Sequence, residues 1–303
     1  MNKKIISMAV FLLMLSPLLL SGEELIVDYV EGFVEVHTRD GWVEVFIGDI
    51  VDEDSSIRLE PGSLLELSGT NIHLTLTTEG TYSIQDLIKS STERSTSGVG
   101  SLIANKLLPL GGSSSVGSRS AVGGVRGDFA DEETFSWVES EAAELIERGK
   151  QLLSESDFEK ALEVFKEAYD FAYEDEVDEV LYYLGYSSYL LGDIISAERY
   201  LSQIDVKQDS SYYSNLILLK GNIYLETFAY QKAISLFDNF LTTERGRILD
   251  PSLKQTVYLM EAMAFQGLGN REKTIDLLTK TVEIDNLSEA GKTAERLLNQ
   301  LKS

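Results

Sequence analysis

The 303-residue chain contains no cysteine. That absence excludes disulfide bridges, thiolate metal centres, a cysteine nucleophile and a lipid-modified cysteine at a processed N-terminus. Histidine is almost as scarce: His37 and His73 are the two, and both fall in alternating, strand-like stretches of the N-terminal third. Imidazole-based metal binding or catalysis is therefore not expected. Positive charge is in short supply, with 26 Lys and Arg against 50 Asp and Glu and a net charge of -24. A surface of that sign repels a phosphate backbone or an anionic lipid headgroup, so nucleic acid is not an expected partner.

Motifs that carry chemistry are missing too. Gly111-Gly112-Ser113-Ser114-Ser115 is not followed by the Gly-Lys-Ser/Thr of a phosphate-binding loop, and no Gly-x-Ser-x-Gly elbow follows a strand-like run. The acidic run from Glu174 to Glu179 lacks the Gly and the alternating ligands of a calcium loop. It reads as a helix start, where acids meet the positive end of the dipole. Carboxylates abound, yet none sits in a segment whose burial is expected to raise its pKa as an acid catalyst requires. The expectation is a non-enzymatic chain with no cofactor and no metal.

One long apolar run is present, Ile5 to Leu20, preceded by Lys3 and Lys4 and followed by Ser21-Gly22 and the acidic Glu23-Glu24. It reads as an export signal over residues 1–22, cleaved near Gly22. The alternative is an uncleaved anchor, since the run approaches the ~17 residues of a spanning helix, and this would associate the chain with a membrane. Either reading places the bulk of the chain in the periplasm or cell envelope.

From Glu24 to about Tyr82 apolar residues alternate in twos: Leu25, Val27 and Tyr29; Val34 and Val36; Val43 and Val45; Leu65 and Leu67; Ile72, Leu74 and Leu76. That is the period of strands with one buried face. Breakers at Glu31-Gly32, Arg39-Asp40-Gly41, Gly48-Asp49, Glu60-Pro61-Gly62 and Ser68-Gly69-Thr70-Asn71 supply the turns of a β-sandwich or rolled sheet. The stretches Val30-Glu31-Gly32-Phe33-Val34-Glu35-Val36, Ile47-Gly48-Asp49-Ile50-Val51, Ile57-Arg58-Leu59 with Gly62-Ser63-Leu64-Leu65-Glu66-Leu67, and Ala121 to Phe129 with its Val125-Arg126-Gly127 resemble the FecR-type domain of bacterial envelope proteins. The resemblance implies an all-β domain over residues 23–130, interrupted by a Ser/Gly-rich flexible loop at about 90–120.

Beyond Asp131 the period becomes helical and the sequence repeats itself. Gly149, Ala161, Phe165 and Ala168 align with Gly185, Ala197, Leu201 and Ile204, then with Gly221, Ala233, Phe237 and Phe240, and finally with Ala262, Thr274, Leu278 and Thr281. Corners fall at Ser156-Asp157, Gly192-Asp193 and Gly269-Asn270. The pattern resembles tetratricopeptide (TPR) repeats, whose period is about 34 residues. The resemblance implies an all-α solenoid over 138–286, closed by a capping helix at 287–303 with Ser288 as its N-cap. The whole is thus expected to be multidomain, β-rich first and helical second.

In a solenoid one helix of each hairpin lines a concave wall. Aligning the repeats points Lys150, Tyr182, Tyr186, Tyr189, Asn215, Asn222 and Met263 into that wall, a mixture of apolar, aromatic and amide surface that suits an extended peptide or a helix. By resemblance, peptide-binding members of the repeat family use an Asn at the position of Asn222. The bland alternative is that the tyrosine cluster is inter-repeat core. The leading expectation is an envelope scaffold binding a protein or peptide partner; the alternative makes the FecR-like domain a ligand or cell-wall glycan sensor with the repeats as spacer.

Overall fold

The computed structural model describes residues 24–97, 140–205 and 210–302. The chain divides into two compact units, one β-rich and one helical. The expected export signal, the Val-Arg-Gly stretch near 125 and most of the expected Ser/Gly loop lie outside the described residues. No helix among the described residues is long and apolar enough to cross a membrane.

The β unit contains eight strands among the described residues: β1 (Glu24–Glu31), β2 (Val34–Thr38), β3 (Gly41–Glu44), β4 (Ile50–Asp52), β5 (Ser56–Leu59), β6 (Leu64–Ser68), β7 (His73–Leu76) and β8 (Gly80–Ser83). They form two four-stranded sheets, of order β4-β1-β6-β7 and β3-β2-β5-β8. Period-two alternation decides which face is covered: Leu25 and Val27 are buried while Glu24, Ile26 and Asp28 are exposed. A bulge between Val27 and Tyr29 breaks the alternation and leaves Tyr29 half-buried. Val34, Val51, Ile57, Leu59, Leu65, Leu67, Leu74 and Leu76 complete the buried set.

Two turns that the sequence marks are tied together. Gly32 has φ +80, and a Cβ there would stand 2.6 Å from Ser63 Oγ, so the position requires glycine twice over. The Ser63 hydroxyl, buried, accepts from Phe33 N at 2.9 Å and donates to Phe33 O at 2.9 Å. Helix α1 (Ile84–Ser97) follows β8 directly and buries Ile84 and Leu87. Its last residues, 90–97, fall within the span expected to be a flexible loop, and the rest of that span lies outside the described residues.

The helical unit is a succession of hairpins: α2 (Glu141–Ser154) with α3 (Phe158–Phe171), α4 (Val177–Leu190) with α5 (Ile194–Ser202), α6 (Tyr213–Glu226) with α7 (Tyr230–Thr242), and α9 (Pro251–Gly267) with α10 (Arg271–Ile284). The one-turn α8 (Glu244–Arg247) sits before the last pair, and α11 (Glu289–Lys302) ends the stack. First helices begin at steps of 36, 36 and 38 residues. Three corners share one construction, with Ser156, Gly192 and Gly269 at φ 62, 82 and 70 followed by the N-caps Asp157, Asp193 and Asn270. Each cap side chain accepts from the amide three residues on, filling an orphan donor of the first turn. The third corner departs from the pattern: Phe228, at φ 59, takes the left-handed position, and Ala229 offers no side-chain cap.

Helix crossings explain the repeating small residues. A Cβ on Gly149 would stand 2.4 Å from the Phe165 ring, on Gly185 2.5 Å from Leu201, and on Gly221 2.2 Å from the Phe237 ring. Every pair is sixteen residues apart, and in the last hairpin Ala262 and Leu278, both fully buried, hold the equivalent positions. Burying a large apolar side chain contributes roughly 1.5–3 kcal/mol, so this repeated contact is a main source of hairpin stability. Helix α11 starts at Ser288, whose hydroxyl accepts from Gly291 N at 2.9 Å and meets Gln255 Oε1 at 2.8 Å. Leu297 and Leu298 are buried on its inner face.

Candidate protein-interaction surface

The first helices α2, α4, α6 and α9 present side chains of two kinds. The amphipathic α2 covers one stripe and leaves the rest to solvent, burying Ala142, Ile146, Gly149 and Leu153. In α4, by contrast, nine consecutive residues from Val180 to Ser188 are buried, and α6 buries Leu216 to Leu219 and Gly221 to Ile223 in the same way. A helix buried all round has neighbours on every side, and little of it is left for a ligand.

That burial relocates three of the expected wall residues. Tyr182 and Tyr186 are 0% and 1% exposed, and Asn222 is 3% exposed. Tyr182 stacks on Tyr212 at 5.0 Å and on Tyr186 at 6.2 Å, while Tyr183 stacks on Phe165 at 5.0 Å. The tyrosines therefore fill the space between hairpins, as the alternative of inter-repeat core anticipates, because helical spacing alone does not distinguish a stacking face from an open one. Burial pushes the phenol pKa of Tyr182, Tyr183 and Tyr186 up, to about 12 for Tyr183, so all three are neutral hydroxyls.

Four expected residues remain partly exposed: Lys150, Tyr189, Asn215 and Met263. Lys150 reaches from α2 to Glu147 at 2.8 Å and to Glu179 of α4 at 2.9 Å, with its ammonium 5.1 Å from the centre of the Tyr183 ring. Burial opposes its charge, but the Tyr183 ring and the two carboxylates prevail and raise its pKa. One boundary further along, Asn222 donates to Tyr189 Oη at 2.7 Å and to Glu226 Oε1 at 2.8 Å, and Tyr189 donates to the same carboxylate oxygen at 3.0 Å. Both amide hydrogens of Asn222 are thus spent within the protein, and its office is to bind α4 to α6. Burial, then Glu226, raises the pKa of Tyr189.

Glu179 and Glu226 are the residues that reading by repeat position misses. Glu226 follows Asn222 by four on one face of α6, and Glu179 sits in a run that reads as a solvated helix start. Each completes a polar contact between successive first helices. The structure brings Tyr189 and Asn222 together and joins Lys150 to Glu179 of the next first helix.

The chain matches no protein-family model and no curated protein. Among the described residues no group of three or more His, Cys, Asp and Glu is placed to hold a metal ion. His37 packs edge-on against Trp42 at 5.0 Å, and His73 lies on the surface 4.0 Å from Glu66. One carboxylate contradicts the expectation that none has a raised pKa. Glu261 of α9 is buried, and burial followed by the nearby carboxylate of Asp238 pushes it up to about 7 against the opposing pull of Lys280 and Lys273.

The β unit offers a different surface. Ile26 and Ile50 are cross-strand partners on β1 and β4, and both are about half exposed or more, at 48% and 62%. Phe46 and Ile47, also exposed, lie in the turn entering β4, which Gly48 N anchors to Val27 O at 2.8 Å. Neighbouring exposed apolar side chains of this size are characteristic of contact surfaces.

Proposed function

We propose that the chain is a non-catalytic scaffold of the cell envelope, exported by its N-terminal segment, whose TPR-like helices take a protein or peptide partner along the row of first helices. The observation that carries this reading is the presence of half-buried side chains of mixed chemistry, Lys150, Tyr189, Asn215, Glu226 and Met263, on each of the four first helices. An extended segment laid across that row meets a cation, a phenol, an amide, a carboxylate and a thioether in turn. Affinity along such a surface accumulates from many modest contacts, and the Lys150 and Glu226 knots hold the helices in register for it.

The test is affinity capture from an envelope extract with the whole chain and with an Asn215→Arg, Met263→Glu double variant checked for an unchanged melting temperature. Loss of the captured protein in the variant supports the reading; undiminished capture removes the first-helix row from the function. The exposed Ile26, Ile50, Phe46 and Ile47 surface favours a second reading, in which the FecR-like β unit is the ligand-binding part and the helices are a spacer. Loss of capture by Ile50→Lys alone would move the function there.

A further inference from the structure

A second surface of the helical unit has a composition unlike the rest of this acidic chain. Helix α6 sets Lys220 and Tyr224 one turn apart, and α7 sets Gln231, Ser235 and Asn239 at successive turns with Lys232 and Leu236 on the adjoining stripe. These residues line a shallow depression of about 380 Å³, largely open to solvent, hereafter the pocket. Lys220 is half-buried, and among the described residues the acceptor within its reach is the Leu201 carbonyl, at a long 3.5 Å. Burial lowers its pKa, partly offset by Glu198. Lys232 stands 3.5 Å from Glu198 and 5.7 Å from the centre of the Tyr224 ring.

The charges decide what fits. Among the described residues the lining carries two lysines and no carboxylate, and Glu198 beside it pairs with Lys232, which leaves Lys220 as the cation open to an anion. A partly buried ammonium with one long hydrogen bond keeps donor capacity to offer an anion. A monoanion balances the count, whereas a dianionic phosphate brings excess negative charge against Glu198. Gln231, Ser235 and Asn239 supply neutral donors, and the Tyr224 ring and Leu236 supply an apolar wall for a short carbon body. At about 380 Å³ and open to solvent, the depression matches a body of about one ring covered on one side.

We propose that the pocket between α6 and α7 binds the carboxylate of a small organic acid, or the same group at a peptide C-terminus, with Lys220 as its principal donor. The site is separate from the first-helix row, and its success or failure leaves the scaffold reading untouched. The test titrates the full chain with benzoate, with its neutral analogue benzamide, with inorganic phosphate, and with a short peptide ending in Phe in free-acid and amidated forms. Saturable binding of benzoate or of the free-acid peptide is expected, weakened at least about tenfold in Lys220→Met and in Ser235→Trp, which fills the pocket from its exposed side. Tighter binding of the free-acid peptide than of benzoate identifies a chain terminus as the source of the carboxylate; the reverse identifies a small acid. Benzamide or the amidated peptide binding equally well, phosphate binding in preference, affinity retained in both variants, or no saturable binding tighter than about 10 mM would each overturn the proposal.

Discussion

Ser156 is an exposed residue held at φ 62 in a corner where the second and fourth hairpins use glycine. A left-handed conformation costs a residue with a Cβ about 1–2 kcal/mol, and nothing around Ser156 requires its side chain. Ser156→Gly is therefore expected to stabilise the helical unit by about 1 kcal/mol, read as a higher melting temperature. Phe228 holds the same conformation but is buried, so the exchange there would lose packing along with strain. Glu261 is sensitive to pH in the opposite sense to a salt-bridged acid. Its folded-state pKa is raised to about 7 from 4.5 by burial and by Asp238, so the folded chain holds its proton where the unfolded chain releases it. Stability from this group is intact below about pH 4.5, declines as pH rises towards 7 and is flat above. Glu261→Gln should raise stability at pH 8 by about 1–3 kcal/mol and leave it nearly unchanged at pH 4.5. Equal melting shifts at both pH values would refute the assignment.

Between helices, the paired positions sixteen residues apart carry most of the architecture, and what fills them sets how much each tolerates. At Gly221 an added methyl group meets the rigid ring of Phe237 at 2.2 Å, whereas at Gly185 it meets Cδ2 and Cγ of Leu201 at 2.5 Å, an aliphatic side chain that can change rotamer. Gly221→Ala should destabilise by about 1–3 kcal/mol and Gly185→Ala by distinctly less, as denaturant titration can measure. These pairs were legible in the sequence, as were the strand alternation of Leu25 and Val27 and the cap at Ser288, because each writes a short-range signature of size or polarity. Other elements were not. Tyr182 and Tyr186 lie on a helix buried along nine consecutive residues, and a helix without a polar face has no sequence period to say which side is open. Helix α1 begins on Ile84 and Leu87 but continues through a Ser-rich run that composition alone reads as loop. Lys220 and Tyr224 carry no signature in the sequence, because their significance depends on which stripe of α7 they face, a relation that exists only once the hairpin closes.

At the scale of the molecule, two units of different construction lie on one acidic chain, and each shows a surface suited to contact. In the helical unit the stack is quasi-one-dimensional, so a partner spanning several hairpins would stabilise them together, and its footprint should follow the repeat. In the β unit the exposed Ile26 and Ile50 pair is local to one sheet edge. Amide hydrogen exchange separates the two, because binding slows exchange where local opening is suppressed. The decisive measurement is exchange across the whole chain with and without the protein recovered by affinity capture. The scaffold account expects added protection in α2, α4, α6 and α9 together; protection confined to strands β1 and β4, with the helices unchanged, would contradict it.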